Sequence, residues 1–179
     1  MNLYTYSLKL IMAGIICAIS LIYNSENGVI GSMLISPLFL PILLLQNDLN
    51  MGMTSLLSSI IILVIVGFVT QKIVNNKKSN PVISNRSTNI NLLKEFISAF
   101  LISCVFIFST HQTFDFGLVE LVGANIAISL LPPFVNAGVL IGKNKFTESF
   151  NSFNLGFFNV FGAIIAMIFI NVMHNMYVQ

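Results

Sequence analysis

Six times along this chain, apolar residues run on with hardly a charge for about the length needed to cross a bilayer. A hydrocarbon core of about 30 Å takes about 20 residues of helix. Lipid offers no partner to a bare backbone group, so a spanning segment is either a helix or a strand of a closed barrel. These runs are apolar on every side and lack the alternation of a barrel strand. They predict helices, at roughly 3–23, 28–45, 54–74, 92–110, 117–141 and 153–173. Of the 179 residues only 8% are charged, against about 25% in a soluble domain, which leaves too little polar surface to cover a water-soluble fold. That excludes a disordered chain and a charged cytosolic enzyme, and a net charge of +2 gives no grip on nucleic acid. The expected fold is all-α: a polytopic transmembrane bundle of about six spans, forming one domain over 1–179.

The ends of the runs set the orientation. Lys72, Lys77, Lys78, Arg86 and Lys94 lie in or beside the polar segment 75–91, and Lys143 and Lys145 lie between the fifth and sixth runs. The positive-inside rule puts both loops in the cytoplasm, so six crossings leave both termini outside. A second run that turned back would instead leave the N-terminus inside; six crossings is the preferred reading. The sequon Asn85-Arg86-Ser87 is then cytoplasmic and stays unglycosylated. Lys9, inside the first run, reaches the headgroups along its own stem. Ala18 and Ser20 resemble a signal-peptide cleavage site, but the basic start is missing and another apolar run follows at once, so the first run is read as a span. Cys17 and Cys104 sit in apolar runs and read as packing residues.

Two of the runs contain prolines: Pro37 and Pro41 in the second, Pro132 and Pro133 in the fifth. Inside a helix, proline removes one backbone bond and clashes with the carbonyl four residues earlier. That would free the carbonyls of Met33 and Pro37 in one run and of Ile128 and Ser129 in the other. At membrane depth such carbonyls need partners within the protein or a water-lined cavity. Ser36, Asn125, Ser129 and Asn136 lie within a turn or two of these breaks. Gly31 precedes Pro41 by the same spacing as Gly123 precedes Pro133, and each broken run is the middle one of three. The pattern suggests half-repeats over 1–74 and 92–173, joined by the loop 75–91. A tandem three-span repeat is inverted across the membrane, an arrangement that points to a midplane site in secondary transporters. The register match is partial, because Ile128 and Ser129 stand opposite Ser36 and Pro37.

Asn159 and Asn171 in the sixth run and Ser103 in the fourth can join helices by hydrogen bonds. Gly138 with Gly142, and Gly162 with Ala166, have the spacing that lets helices approach closely. His111 and Asp115, four apart, lack a third metal ligand, and no metal or cofactor is expected. No Asp, Glu, Lys, Arg or His stands at the centre of a run, which disfavours a proton-relay carboxylate. Any ion or solute must be held by carbonyls, hydroxyls, amides and helix ends, and half-helix N-termini favour anionic groups.

The segment YNSENGVIGSMLISPLFLPIL (23–43) resembles the first signature of the domain-of-unknown-function 389 family, approximately T-N-S, a gap, then V-I-G-A-M-L-I-[AS]-P-L-M-G-P-I. VGANIAISLLPPFVNAGVLIG (122–142) is similar to its second signature, approximately G-V-A-I-A-V-A-L-V-P-P-L-A-V-V-G-I, and FFNVFGAIIA (157–166) resembles its L-T-N segment. The likeness spans roughly residues 10–172. It implies a multi-span helical membrane domain and assigns no function. The motif positions are Asn24, Ser25, Gly31, Met33, Ser36, Pro37, Pro41, Ala127, Pro132, Pro133, Gly138 and Asn159. Leu40 stands where the family usually has Gly, and Asn125 at a usually apolar position. The soluble domain and the Gly/Ala-rich stretch of many members are not seen in this sequence, which reads as a minimal membrane core.

These observations lead to a small transporter or channel-like protein, not an enzyme, whose site lies between the two broken helices. Its lining is expected from Ser36, Pro37, Pro41, Asn125, Ser129, Pro132, Pro133, Asn136 and Asn159. The partners expected are the lipid bilayer, a small solute or ion, and copies of the chain itself in a homo-oligomer, in a cell's inner or plasma membrane. The rival is a structural or assembly protein whose kinks only shape packing, with a dry centre. An intramembrane enzyme comes third, for want of a nucleophile–base pair.

Overall fold

The computed structural model describes every residue except 1–2, 47, 79, 89, 113–122, 124–125, 127 and 178–179. Among the described residues there is helix and no strand. α1 (Leu3–Ile22) ends where Asn24 takes a left-handed φ of 62° and the Ser25 N–H closes back on the Ser20 carbonyl at 2.8 Å. Asn tolerates that conformation better than other residues with a Cβ. Ser25 then caps α2 (Glu26–Ile35), its Oγ accepting from the Gly28 N–H. α3 (Leu40–Leu44) follows, and α4 (Leu49–Val74) starts at Asp48, whose carboxylate accepts from the Met51 N–H at 3.0 Å. The short α5 (Pro81–Ser84) is capped by Asn80. α6 (Leu92–Gln112), α7 (Leu131–Gly142) and α8 (Phe146–Tyr177) complete the set.

Three helix pairs run parallel. Tyr6 Oη and Ser59 Oγ lie 2.7 Å apart, and Gly14, further along α1, faces Leu63 and Val66, further along α4. Gly138 of α7 lies against the backbone at Val64 and Phe68 of α4, and Gly142 against Gln71. The rings of Phe96 and Phe100 on α6 meet Phe161 and Phe169 on α8 in the same order. Because α1 and α4 run the same way, the segment between them has to return from the last turn of α1 to the first turn of α4. α2 and α3 do this: Gly28 rests on Ser20, and Leu45 rests on Gly52.

Among the described residues, four apolar stretches are long enough to cross a membrane: Tyr4–Ile22, Glu26–Leu44 (α2 and α3 together), Leu49–Val74 and Phe146–Met173. α7 is apolar but shorter. One hydrophobic cluster joins residues from Tyr6 to Met167, while Leu57, Ile61, Ile65, Phe157 and Phe161 point outwards. An outer surface of this kind suits lipid and not water.

Segment 75–91 ties three helix ends together. Asn80 Nδ2 donates to the carbonyls of Leu21 and Ile22 at 2.8 and 3.1 Å, and the Val82 N–H donates to Asn24 Oδ1. Lys143 Nζ donates to the Lys78 carbonyl at 2.7 Å, and Asn151 Nδ2 to the Ser87 carbonyl at 3.1 Å. Both basic loops therefore sit at the same end of the bundle. Burial there pushes the Arg86 guanidinium and the Lys143 amine below their ordinary ranges.

Candidate functional site

The two proline segments are built differently from the expectation of prolines inside helices. α2 stops at Ile35, Pro37 lies in the gap, and Pro41 sits in the first turn of α3. Pro132 and Pro133 occupy the first turn of α7. Proline is at home in a first turn, where its missing N–H has no intrahelical partner to lose. The prolines therefore open new helices and do not kink existing ones.

The first break closes with its own chain. Ser36 ends α2, its N–H donating to the Ser32 carbonyl and its Oγ accepting from the Leu38 N–H at 3.3 Å. The Pro37 carbonyl accepts from the Leu40 N–H at 3.0 Å. Leu38 and Phe39 are wholly buried, and the Phe39 ring meets the edge of Phe106 with centroids 5.0 Å apart. Apolar packing thus seals this turn.

The second break closes with side chains from α8. Ser129 takes a left-handed φ of 53° just ahead of α7, and the neighbouring Ile128 carbonyl accepts from Asn159 Nδ2 at 2.9 Å. The Pro133 carbonyl accepts from Ser152 Oγ at 3.0 Å, and the Ala137 carbonyl from Ser149 Oγ at 2.8 Å. Asn136 Nδ2 donates to Ser152 Oγ and to the Ile83 carbonyl of α5. Ser149, Ser152, Gly156 and Asn159 follow one another on the buried face of α8. Asn136 and Asn159 are 0% and 2% exposed, yet Oδ1 of each has no donor. Oε1 of Gln71, where α4 meets Gly142, is in the same state.

Of the residues expected to line a site, Pro132, Pro133, Asn136 and Asn159 belong to this α7–α8 seam, with Ser129 at its entrance. Ser36, Pro37 and Pro41 belong to the separately sealed first break. Asn125, like Ala127 and Asp115, lies outside the described residues, as do the side chains of His111 and His174. Ser149, Ser152 and Gln71 were not among the expected residues. Small residues spaced three or four apart along α8 are the signal that could have found the two serines.

The large cavity lies elsewhere. A groove of about 670 Å³ between the outer faces of α4 and α8 is lined by Leu57, Ile61, Ile65, Phe157, Phe161 and other apolar side chains. It offers no polar group to orient a solute. Glycine contacts close the other interfaces. A Cβ on Gly67 would strike the Val135 carbonyl, one on Gly138 the Val64 carbonyl, and one on Gly162 would lie 2.9 Å from the Phe96 carbonyl.

Residues 33–165 match the family model described as Domain of unknown function (DUF389). The chain belongs to that family. The matched region begins in α2 at Met33 and ends in α8 at Ile165, so it holds both breaks together with Gln71, Asn136 and Asn159. No curated protein and no solved structure matches the chain. The DUF389 assignment, with the apolar helices, makes this a membrane protein.

Proposed function

We propose that the chain is a six-span transporter or channel-like protein of a cell's inner or plasma membrane, with both termini on the side opposite the basic loops. The parallel pairs α1–α4 and α6–α8 are what two three-span halves related by inversion produce, and the return path through α2 and α3 supports counting that segment as a crossing. The solute or ion site is the α7–α8 seam. The observation that carries it is the pair of buried amide oxygens on Asn136 and Asn159 beside the break. Leaving such a group unpaired costs about 1–3 kcal/mol, a penalty that a passing ligand relieves. Reconstituted into vesicles, the protein should conduct small solutes or ions, and Asn159→Leu should abolish that flux with folding retained. Full flux in Asn159→Leu and in Asn136→Leu would remove the seam as the path.

A structural role is the second reading, favoured by the glycine-tight packing of α4 on α7 and the apolar seal over the first break. It predicts no flux in any preparation and substitutions tolerated apart from their effect on stability. Copies of the chain can then pack through the α4–α8 groove, and the mass of the reconstituted particle reads that out.

A further inference from the structure

Besides the Ser103 hydroxyl on α6, the buried side-chain atoms without a partner among the described residues are all amide oxygens. A carboxamide can be turned end for end, but here its partners decide the matter, because a backbone carbonyl only accepts. Asn159 faces the Ile128 carbonyl at 2.9 Å, Asn136 the Ile83 carbonyl at 3.2 Å, and Gln71 the Asn76 carbonyl at 2.9 Å. Each amide must present its NH₂ there, and turning any of them would set oxygen against oxygen. What remains in each case is a buried oxygen with lone pairs and no donor. The seam therefore asks for a donor or a cation.

The helix start points the same way. A first turn binds anions through its free N–H groups, but Pro132 and Pro133 occupy that turn in α7 and bring none. The sequence-based expectation that a broken helix here favours an anion loses two of the first turn's N–H donors. Ser149 and Ser152 already spend their hydroxyl protons on the Ala137 and Pro133 carbonyls, so they do not supply anion contacts either.

Charge and depth narrow the ligand. The groups that form the seam are neutral amide, hydroxyl and carbonyl oxygens. Divalent calcium and magnesium call for carboxylates, while dipoles alone suit a monovalent cation. Asn159 stands halfway along the 28-residue stretch Phe146–Met173, and Asn136 reaches the same face of α8 through Ser152, two turns or about 10 Å away along the axis. The Ile128 carbonyl spends one lone pair on Asn159 and keeps the other.

We infer that the α7–α8 seam binds a monovalent cation, alkali or ammonium, at Asn159 Oδ1 and the Ile128 carbonyl, with Asn136 Oδ1 as a second position two turns towards the basic end. This names the ligand class of the site proposed above and rests on that reading for its role in transport, though binding itself is tested separately.

The test is melting of the purified full chain in detergent, in chloride salts of sodium, potassium, ammonium or choline at one ionic strength. Choline is too large for a seam between packed helices. A cation at tenfold excess over its dissociation constant should raise the midpoint by about 4 °C over choline. The rise should vanish in Asn159→Leu. If Asn159→Leu does not fold, loss of the rise in Asn136→Leu supports the site and an undiminished rise there overturns it. Equal midpoints in all four salts for the unmodified chain would overturn the inference and leave an ordered water as the donor. So would a rise kept undiminished in Asn159→Leu. A cation-dependent rise without flux in vesicles keeps the site and removes transport. Flux with salt-independent melting keeps transport and removes this inference.

Discussion

The two proline breaks solve one problem in opposite ways. At the first, Ser36, Leu38 and Leu40 satisfy the turn within a few residues of chain, and Phe39 and Phe106 cover it. At the second, α8 supplies the donors: Asn159 to the Ile128 carbonyl, which Pro132 leaves without its helical N–H, and Ser152 and Ser149 to the Pro133 and Ala137 carbonyls further along α7. A turn whose backbone bonds are local leaves few backbone groups for neighbouring helices to satisfy. A turn closed by a neighbouring helix brings amides to membrane depth, and an amide that gives its NH₂ away has an oxygen left over. The first arrangement yields a sealed corner, the second a seam with chemistry in it.

The sharpest way to break this comparison is through the glycines. Gly138 holds α7 on α4, where a Cβ would meet the Val64 carbonyl and lie 2.8 Å from the Phe68 nitrogen, both rigid backbone. Gly138→Ala should therefore cost about 3 kcal/mol, read as a fall in the detergent melting midpoint. Gly31 in α2 faces open space, so Gly31→Ala should leave stability unchanged or raise it by up to about 1 kcal/mol. Equal losses in the two variants would mean that both breaks depend on tight packing.

Next comes the polar closure itself. Asn159→Leu strips the Ile128 carbonyl of its partner and should cost about 1–2 kcal/mol by the same measurement, between the membrane and soluble values for a lost hydrogen bond. Ser36→Ala, in a turn that keeps its backbone bonds, should cost less than about 1 kcal/mol. A larger loss for Ser36→Ala would reverse the contrast. The smallest effect is at Ser129, whose φ of 53° suits glycine better than serine. Ser129→Gly should hold stability or raise it by up to about 1 kcal/mol, whereas a β-branched residue there should lower it.

The helical membrane fold was legible in the sequence because lipid makes a single demand, unbroken apolar length, and the runs meet it openly. The family was legible for the same reason that the breaks were: prolines at fixed spacing are rare inside apolar stretches. What the sequence hid was which side of each proline the helix occupies. A proline removes an N–H whether it interrupts a helix or starts one, and only the placement of α3 and α7 distinguishes the two. Nor could the sequence pair the polar residues. Asn136 and Asn159 were visible as isolated amides, but the bonds of Asn136 to Ser152 and the Ile83 carbonyl, and of Asn159 to the Ile128 carbonyl, follow from the way α8 and α5 lie against α7. Gln71 carried no signal of its own, and only the fold sets Gly142 against it.

The order of closure has a consequence in time. The Leu40 N–H finds the Pro37 carbonyl three residues away, so this bond can form as soon as that stretch has left the ribosome. The Ile128 carbonyl waits for Asn159, a partner 31 residues later in the chain. At about 5–20 residues per second, that is a delay on the order of seconds during which a bare carbonyl must be shielded by the insertion machinery or by water. The half of the molecule with the most chemistry is also the half that cannot finish itself until α8 has been made.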